Sequence, residues 1–307
     1  MKVSPELKAS LLHCVVCSAD VSAADVATTQ IRSNVRRFAS EVFRLWQCPS
    51  CKSIHAVDEV DLASYYAHYP FHGQRPSFPV RLAYNGKLRE LEKFGLQRQQ
   101  RILDYGCGGG VFVEHLRSHG YQHASGYDAY VKEGEYAVEP TGLYDVVLSQ
   151  DVIEHVDSPR AHLERLIELT VPGGLIVLGT PNAGVVEMAH PERYIHILHQ
   201  PYHRHVLSAA ALESLAKSLG VELLAVRHGF VGNRAIPGLN GRYLLRTLRA
   251  HGDVLDDMVA GKVVWKWELF SPGAFWDLFT GYWNDPGNDM TVVLRAPGIP
   301  EGSRPQS

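Results

Sequence analysis

The 307-residue chain lacks any apolar run approaching the roughly 20 residues that a membrane span needs, so no spanning segment is expected. It also lacks a basic surplus. Thirty Lys and Arg against 33 Asp and Glu leave a formal charge of −3 and a pI near 6.6. Dedicated nucleic-acid binders usually carry a cationic excess, so nucleic acid is not the expected partner. No internal repeat is visible. The start, MKVSPELKASLLHCVVC, turns polar too soon for a signal peptide, and a cytoplasmic location is the expectation. Cysteine is scarce, with five residues in all. The remaining composition, 45% hydrophobic and 21% charged, is that of a globular chain long enough for one large domain and a small one.

Four of the five cysteines fall into two tight pairs. Cys14-x-x-Cys17 and Cys48-x-x-Cys51 are separated by 30 residues. Each pair presents two thiolates from one turn, and two such turns complete a tetrahedral zinc site. Without a secretory start, metal-bound thiolates are expected before disulfides. A four-cysteine site is closed, so its expected role is folding and not catalysis. Two unrelated buried pairs, or a redox CxxC, are the alternatives.

Residues 1–60 thus read as a small zinc-ribbon-like module. Residues 61–100 read as a connector, aromatic in YYAHYPFHG and helix-like in RLAYNGKLRELEKFGL. From Arg101 the pattern alternates. RILDYG is a buried strand, and VFVEHLRSHG is a helix closed by Gly120. HASGYD, YDVVLSQ, GGLIVLGTP and VELLAVRH follow as strands, with the helix AALESLAKSLG before the last of them. DMTVVLRA is a final strand. The alternation predicts an α/β fold with a doubly wound, mainly parallel sheet over residues 101–296. Residues 229–288 interrupt it with four of the five tryptophans. They are expected to form a helical insertion, a lid over the substrate side of the domain. Residues 297–307, rich in Pro, Gly and Ser, are expected to be a disordered tail.

ILDYGCGGGV joins a strand to a helix. Gly106, Gly108 and Gly110 allow a sharp turn and close approach of a ligand, and the helix start adds N–H donors. The third small position of a nicotinamide fingerprint falls on Val111, so the pattern is instead D-x-G-x-G-x-G from Asp104. In this the chain resembles the class I S-adenosylmethionine-dependent methyltransferases, over about residues 98–228 and 289–296. The resemblance implies a Rossmann-like, seven-stranded, doubly wound sheet. It implies that the glycine loop holds the methionine part of the cofactor, with Asp104 at its ammonium group. Asp128, in GYDAY, would take the ribose hydroxyls. YDVVLSQDVIEHV and VPGGLIVLGTPN would be the fourth and fifth strands with their turns. One departure stands out. Only 16 residues separate Asp128 from Asp145, too few for the family's usual helix and strand. Gln150 and Asp151 are therefore the residues expected beside the adenine.

SQDVIEHVDSP places Asp151, Glu154 and His155 at i, i+3 and i+4, one face if a helix begins there. Five of 16 histidines fall between His190 and His205. A solvated loop of hydrogen-bonded histidines is the plain reading of that crowding. Two further resemblances bear on it. Sugar C-methyltransferases also begin with two CxxC pairs and an aromatic segment. Where they have Y-H-E-H, with a Glu-His pair that moves a proton, this chain has Tyr202-His203-Arg204-His205. His205 is matched and Arg204 replaces the glutamate. The chain also resembles O-methyltransferases with E-x-x-E-H after the fourth strand, among them ubiquinone-pathway and small-RNA 2′-O-methyltransferases. That resemblance implies a second divalent metal at Asp151, Glu154 and His155, with His205 as a later ligand. A metal site, a pocket wall, and His155 as direct base remain open. Tyr65, Tyr66, Tyr69 and His72 are expected either to fold over a ligand or to strap the zinc module to the core.

The expected function is methyl transfer from S-adenosylmethionine to a small molecule: a sugar nucleotide, a glycan precursor or a natural-product intermediate. Oxygen is favoured over carbon or nitrogen, with His205 or His155 taking the proton. The alternative is an RNA methyltransferase whose zinc module grips nucleic acid through Arg32, Arg36 and Arg37. A scaffold with a vestigial domain is a third reading. The oligomeric state is left open.

Overall fold

Two copies of one turn organise the N-terminal part. In the computed structural model, which describes residues 11–67, 78–229, 237–259 and 267–298, strands β1 (Leu11–His13) and β2 (Asp20–Ser22) flank the first cysteine pair. Strands β3 (Ala27–Arg32) and β4 (Val42–Gln47) form a hairpin, and β5 (Ile54–Ala56) follows the second pair. Ser18 N donates to Cys14 O at 2.8 Å, and Lys52 N to Cys48 O at 2.9 Å. Ser18 and Lys52 are both left-handed, with φ of 59° and 61°. The turns therefore match residue for residue.

The connector begins with α1 (Leu62–Tyr66), capped by the Asp61 side chain, and continues in α2 (Phe78–Lys93). The core then alternates: β6 (Ile102–Tyr105), α3 (Val111–Ser118), β7 (Ala124–Tyr127), β8 (Tyr144–Gln150), α4 (Pro159–Glu168), β9 (Thr170–Pro181), α5 (Ile195–Leu198), β10 (His205–Val206), α6 (Ala209–Ser218) and β11 (Glu222–His228). Ser158 and Ser208 cap α4 and α6 by accepting from Ala161 N and Ala211 N. Helices α7 (Gly241–Ala250), α8 (Leu255–Val259) and α9 (Pro272–Thr280) precede β12 (Asp289–Arg295). Trp267, Phe275, Trp276 and Trp283 in this stretch are exposed. Tyr69, His72, Trp265 and the tail beyond 298 lie outside the described residues.

The main sheet runs β11-β12-β9-β8-β6-β7. β7, β6, β8 and β9 are mutually parallel, and β12 is antiparallel to both its neighbours. Its strands alternate between two buried faces. Leu103, Val147 and Leu178 pack on one, and Ile102, Val146, Leu148 and Val177 on the other. The sheet has six strands among the described residues, where seven were expected. Between Asp128 and Asp145 the chain forms only a 3-10 turn at Glu135–Ala137. The chain leaves β6 outward to β7 and returns to β8 on the other side. That reversal opens a crevice at the strands' carboxyl ends, the usual ligand position of such sheets.

A second sheet has the order β10-β5-β4-β3, so one strand from the core half completes the cysteine module. The insertion docks there too, with Leu255 N donating to Asn34 O and Arg36 N to Asp256. No described helix is long and apolar enough to cross a membrane.

Candidate active site

The glycine loop lies at the end of β6. Gly106, Gly108 and Gly110 have φ of 91°, 54° and 74°, a region that side chains with a Cβ rarely adopt. A Cβ at Gly106 would strike the Val152 side chain, and one at Gly110 the Tyr136 ring, whereas Gly108 faces open space. The loop is thus pinned at both ends and open at its centre. Gly106 N donates to Tyr127 O at 2.7 Å. Asp128 closes the crevice from β7, its Oδ2 accepting from Gly108 N and its Oδ1 from Tyr130 N, both at 2.9 Å.

Asp104 is buried at the base of the loop. Burial pushes its carboxyl up, Lys87 pulls it back down, and Asp128 pushes it up again. Lys87 comes from α2 and is itself buried, with Nζ 4.5 Å above the centre of the Phe112 ring. Burial drives its pKa down, while Asp104 and Asp151 draw it up. The sequence reading missed Lys87. The available signal was its place in the stripe Tyr84, Lys87, Leu88, Leu91, the face that α2 turns to the core.

Asp151 follows β8 with φ 55° and donates its N–H to Gly179 O at 2.8 Å. The expectation of a helix face at Asp151, Glu154 and His155 gives way to a turn, because α4 starts only at Pro159. The Gln150 side chain covers Gly179 and donates to Asp151 Oδ1 at 3.0 Å. Asp151 and Asp104 both act on the Lys87 charge, which places Asp151 near the base of the glycine loop.

Glu154 has no exposed surface. Its Oε2 accepts from Thr180 Oγ1 at 2.9 Å, and its Oε1 has no hydrogen-bond partner. Burial pushes this carboxyl well above the usual range. His155 Nε2 lies 4.0 Å from that Oε1. His155 Nδ1 faces Tyr66 Oη at 2.8 Å and Tyr202 O at 3.1 Å. His203 donates from Nδ1 to Ile197 O at 2.6 Å, and its ring is 4.8 Å from that of His155. One donor atom from each of Glu154, His155 and His203 lies within 4.8 Å of the others.

The side chains within reach of one ion differ from the set expected from the sequence: His203 joins Glu154 and His155, while Asp151 and His205 stand outside the group. His205 pairs in register with His55 of β5. Its Nδ1 is 3.0 Å from His55 Nδ1, and its Nε2 is 3.2 Å from Asp157 O. The other nitrogen of His55, Nε2, is 3.2 Å from Cys14 Sγ.

The four cysteine sulfurs lie within 4.8 Å of one another, with Cys14–Cys51 at 3.6 Å and Cys17–Cys48 at 3.7 Å. A tetrahedron of thiolates bonded to zinc at about 2.3 Å has edges of roughly 3.8 Å. These separations suit a shared ion and are too long for disulfides.

Residues 79–226 match a family model described as a methyltransferase domain. The ubiquinone biosynthesis O-methyltransferase of Cronobacter sakazakii is 31% identical over 125 residues, covering 34% of this chain and 49% of its own. That of Maricaulis maris is 32% identical over 133 residues, covering 34% and 51%. The chain thus spans about half the length of the curated relatives it matches. Among solved structures, coclaurine N-methyltransferase bound to N-methylheliamine and S-adenosylhomocysteine aligns at 14% identity and a TM-score of 0.42, over 69% of this chain and 70% of that one.

Proposed function

We propose that this chain, which carries a class I S-adenosylmethionine-dependent methyltransferase domain, transfers the cofactor's methyl group to a hydroxyl of a small molecule. The observation that carries this reading is the loop at Gly106, Gly108 and Gly110, pinned at its ends, open at its centre and closed against Asp128. The methionine part of the cofactor is a zwitterion. Asp104 suits its ammonium group and Lys87 its carboxylate, two buried opposite charges that already face each other at the base of the loop. Each Asp128 oxygen binds one backbone N–H and keeps a second lone pair for a ribose hydroxyl.

The sulfonium donor is already activated, so the protein must chiefly align the acceptor and remove its proton. Glu154, His155 and His203 would hold a divalent ion. The orphaned Oε1 of Glu154 fits that role, as do the partners that fix the far atoms of all three side chains. Such a mixed carboxylate and imidazole set suits Mn, Fe or Zn, which would lower the pKa of an acceptor hydroxyl. Asp289, at the start of β12 and near enough to Glu154 to raise its pKa, is our candidate to take the proton. Its carboxyl is pushed up to about 7 by burial and by the charges of Asp151 and Asp285. The four cysteines hold a structural zinc.

An O-methylation reading follows the names of the relatives. Asp151 and Asp289, both near enough to Glu154 to raise its pKa, favour a neutral hydroxyl acceptor, phenolic or sugar, over a phosphorylated one. The same acids weigh against RNA, and Arg36 of the basic segment is paired with Asp257. The test is purified protein with S-adenosylmethionine and a panel of phenols and sugars, read by mass spectrometry. A product heavier by one methyl substitution, with S-adenosylhomocysteine formed one for one, supports the reading. Cofactor binding with turnover only on RNA overturns the acceptor assignment.

A further inference from the structure

Strand β10 is two residues long, and its sheet partner among the described residues is β5. So short a strand has little stability of its own and takes its place from its template. The template begins three residues after Cys51. Ala56 N donates to Arg204 O at 2.9 Å, and Ser208 Oγ donates to Cys51 O at 2.6 Å. On the core side, Arg204 N and His205 N both donate to Glu154 O, at 2.7 and 3.1 Å. A backbone path therefore runs from the second cysteine turn through β5 and β10 to Glu154.

A side-chain path runs beside it. Cys14 Sγ meets His55 Nε2 at 3.2 Å, His55 Nδ1 meets His205 Nδ1 at 3.0 Å, and His205 Nε2 meets Asp157 O at 3.2 Å. Trp46 packs against the His55 ring at 4.5 Å, and both histidines are buried. The two paths start at different cysteine turns and converge on the same short segment, residues 154–157. That segment carries Glu154 and His155, and His203 enters the group from the residue just before Arg204.

We propose that His55 and His205 are positioning residues: they couple the metal-loaded cysteine cluster to the 154–157 turn, so that loading the cluster sets Glu154, His155 and His203 in place for turnover. The cysteine module then acts as a working part of the acceptor side and does more than stabilise the fold. The cofactor loop takes its backbone and side-chain bonds from β7 and Asp128, outside residues 154–157. The effect on turnover rests on the methyl-transfer reading; the coupling itself does not.

The test uses the full-length zinc-loaded protein. Hydrogen–deuterium exchange is compared before and after zinc removal by a thiol-reactive mercurial and chelator. The proposal expects amides of residues 203–206 and 154–157 to exchange about 10-fold faster or more without zinc, while those of β6 and β8 stay protected. Cobalt substituted at the cysteines gives a second readout. His205→Gln does not touch a cysteine, yet it should shift the thiolate-to-cobalt absorption in the same direction as His55→Gln, and His203→Ala should leave it unmoved.

In turnover, His205→Leu should lower kcat about 10-fold or more with the affinity for S-adenosylmethionine unchanged, and His205→Gln should restore part of the loss. Unchanged exchange in both segments, or a cobalt band indifferent to His205→Gln, overturns the coupling. Exchange and cobalt responses without any loss of kcat overturn the positioning role. A wild-type protein that transfers no methyl group refutes the functional reading instead, and the exchange and cobalt results still decide the coupling. Should His205→Leu fail to fold, the wild-type exchange comparison decides it alone.

Discussion

The carboxylate of Asp128 accepts the N–H of Gly108 at 2.9 Å. This bond ties the end of β7 to the middle of the loop after β6 and fixes the width of the crevice between them. The loop's glycines should then respond differently to the same change. Gly108→Ala puts a methyl into open space, so the fold should bear only the left-handed strain of about 1–2 kcal/mol. Cofactor affinity should fall because that space is the ligand's. Gly110→Ala adds a clash with Tyr136 to the same strain, so it should lower the Tm further. Thermal melts and calorimetric titration of both variants check the contrast, and equal melting losses would refute it.

Lys87 is a buried cation beside two acids, and its removal tests stability and binding together. Lys87→Met keeps the bulk over Phe112 but leaves the buried Asp104 carboxyl without its cation, so stability should fall, by up to about 3–5 kcal/mol. The loss of a charged hydrogen bond to the cofactor carboxylate should raise the Kd for S-adenosylmethionine by about 10-fold or more. An unchanged Kd would remove Lys87 from the site.

Turnover should rise with pH through about 7. Asp289 has a raised pKa, so below that value it holds its proton and cannot accept another. Asp289→Asn should remove that limb of the kcat profile and lower kcat by about 100-fold. A profile in the variant that still rises through neutrality would assign the limb to another group.

Stability should fall on acidification through a different residue. His162 is buried in the core beside Ser149, at 3.0 Å, and burial lowers its pKa to about 4. The unfolded chain takes up a proton near pH 6.5, before the folded one does. Stability is therefore full above pH 6.5 and is lost as pH drops from there toward 4, by up to about 3 kcal/mol. His162→Gln should show a shallower fall of Tm between pH 7 and 5 than the wild type, and parallel curves would refute the assignment.

Local signals were legible in the sequence where the chemistry is local. Each cysteine turn is set by four or five consecutive residues, and so is the glycine loop. Asp128 was legible because it ends the next strand. What the sequence hid depends on distant contacts. His203 and His205 are two residues apart, and nothing near them tells which one joins His155. The choice is made by His55, 150 positions upstream, which pairs with His205 and leaves His203 for the acid. Lys87 sits in the apolar stripe of α2, but only the packing of that helix brings it to Asp104. The spacing of Asp151, Glu154 and His155 suggested a helix, but the left-handed backbone of Asp151 and its bond to Gly179 make a turn there. The missing strand was half legible, since residues 129–144 were visibly too few to supply it.

The most direct test is calorimetric titration of the purified chain with S-adenosylmethionine, beside Asp128→Ala. The account predicts one saturable site per chain in the wild type, with affinity reduced at least about 10-fold in the variant. No binding by the folded wild-type chain, or equal binding by both, would contradict it.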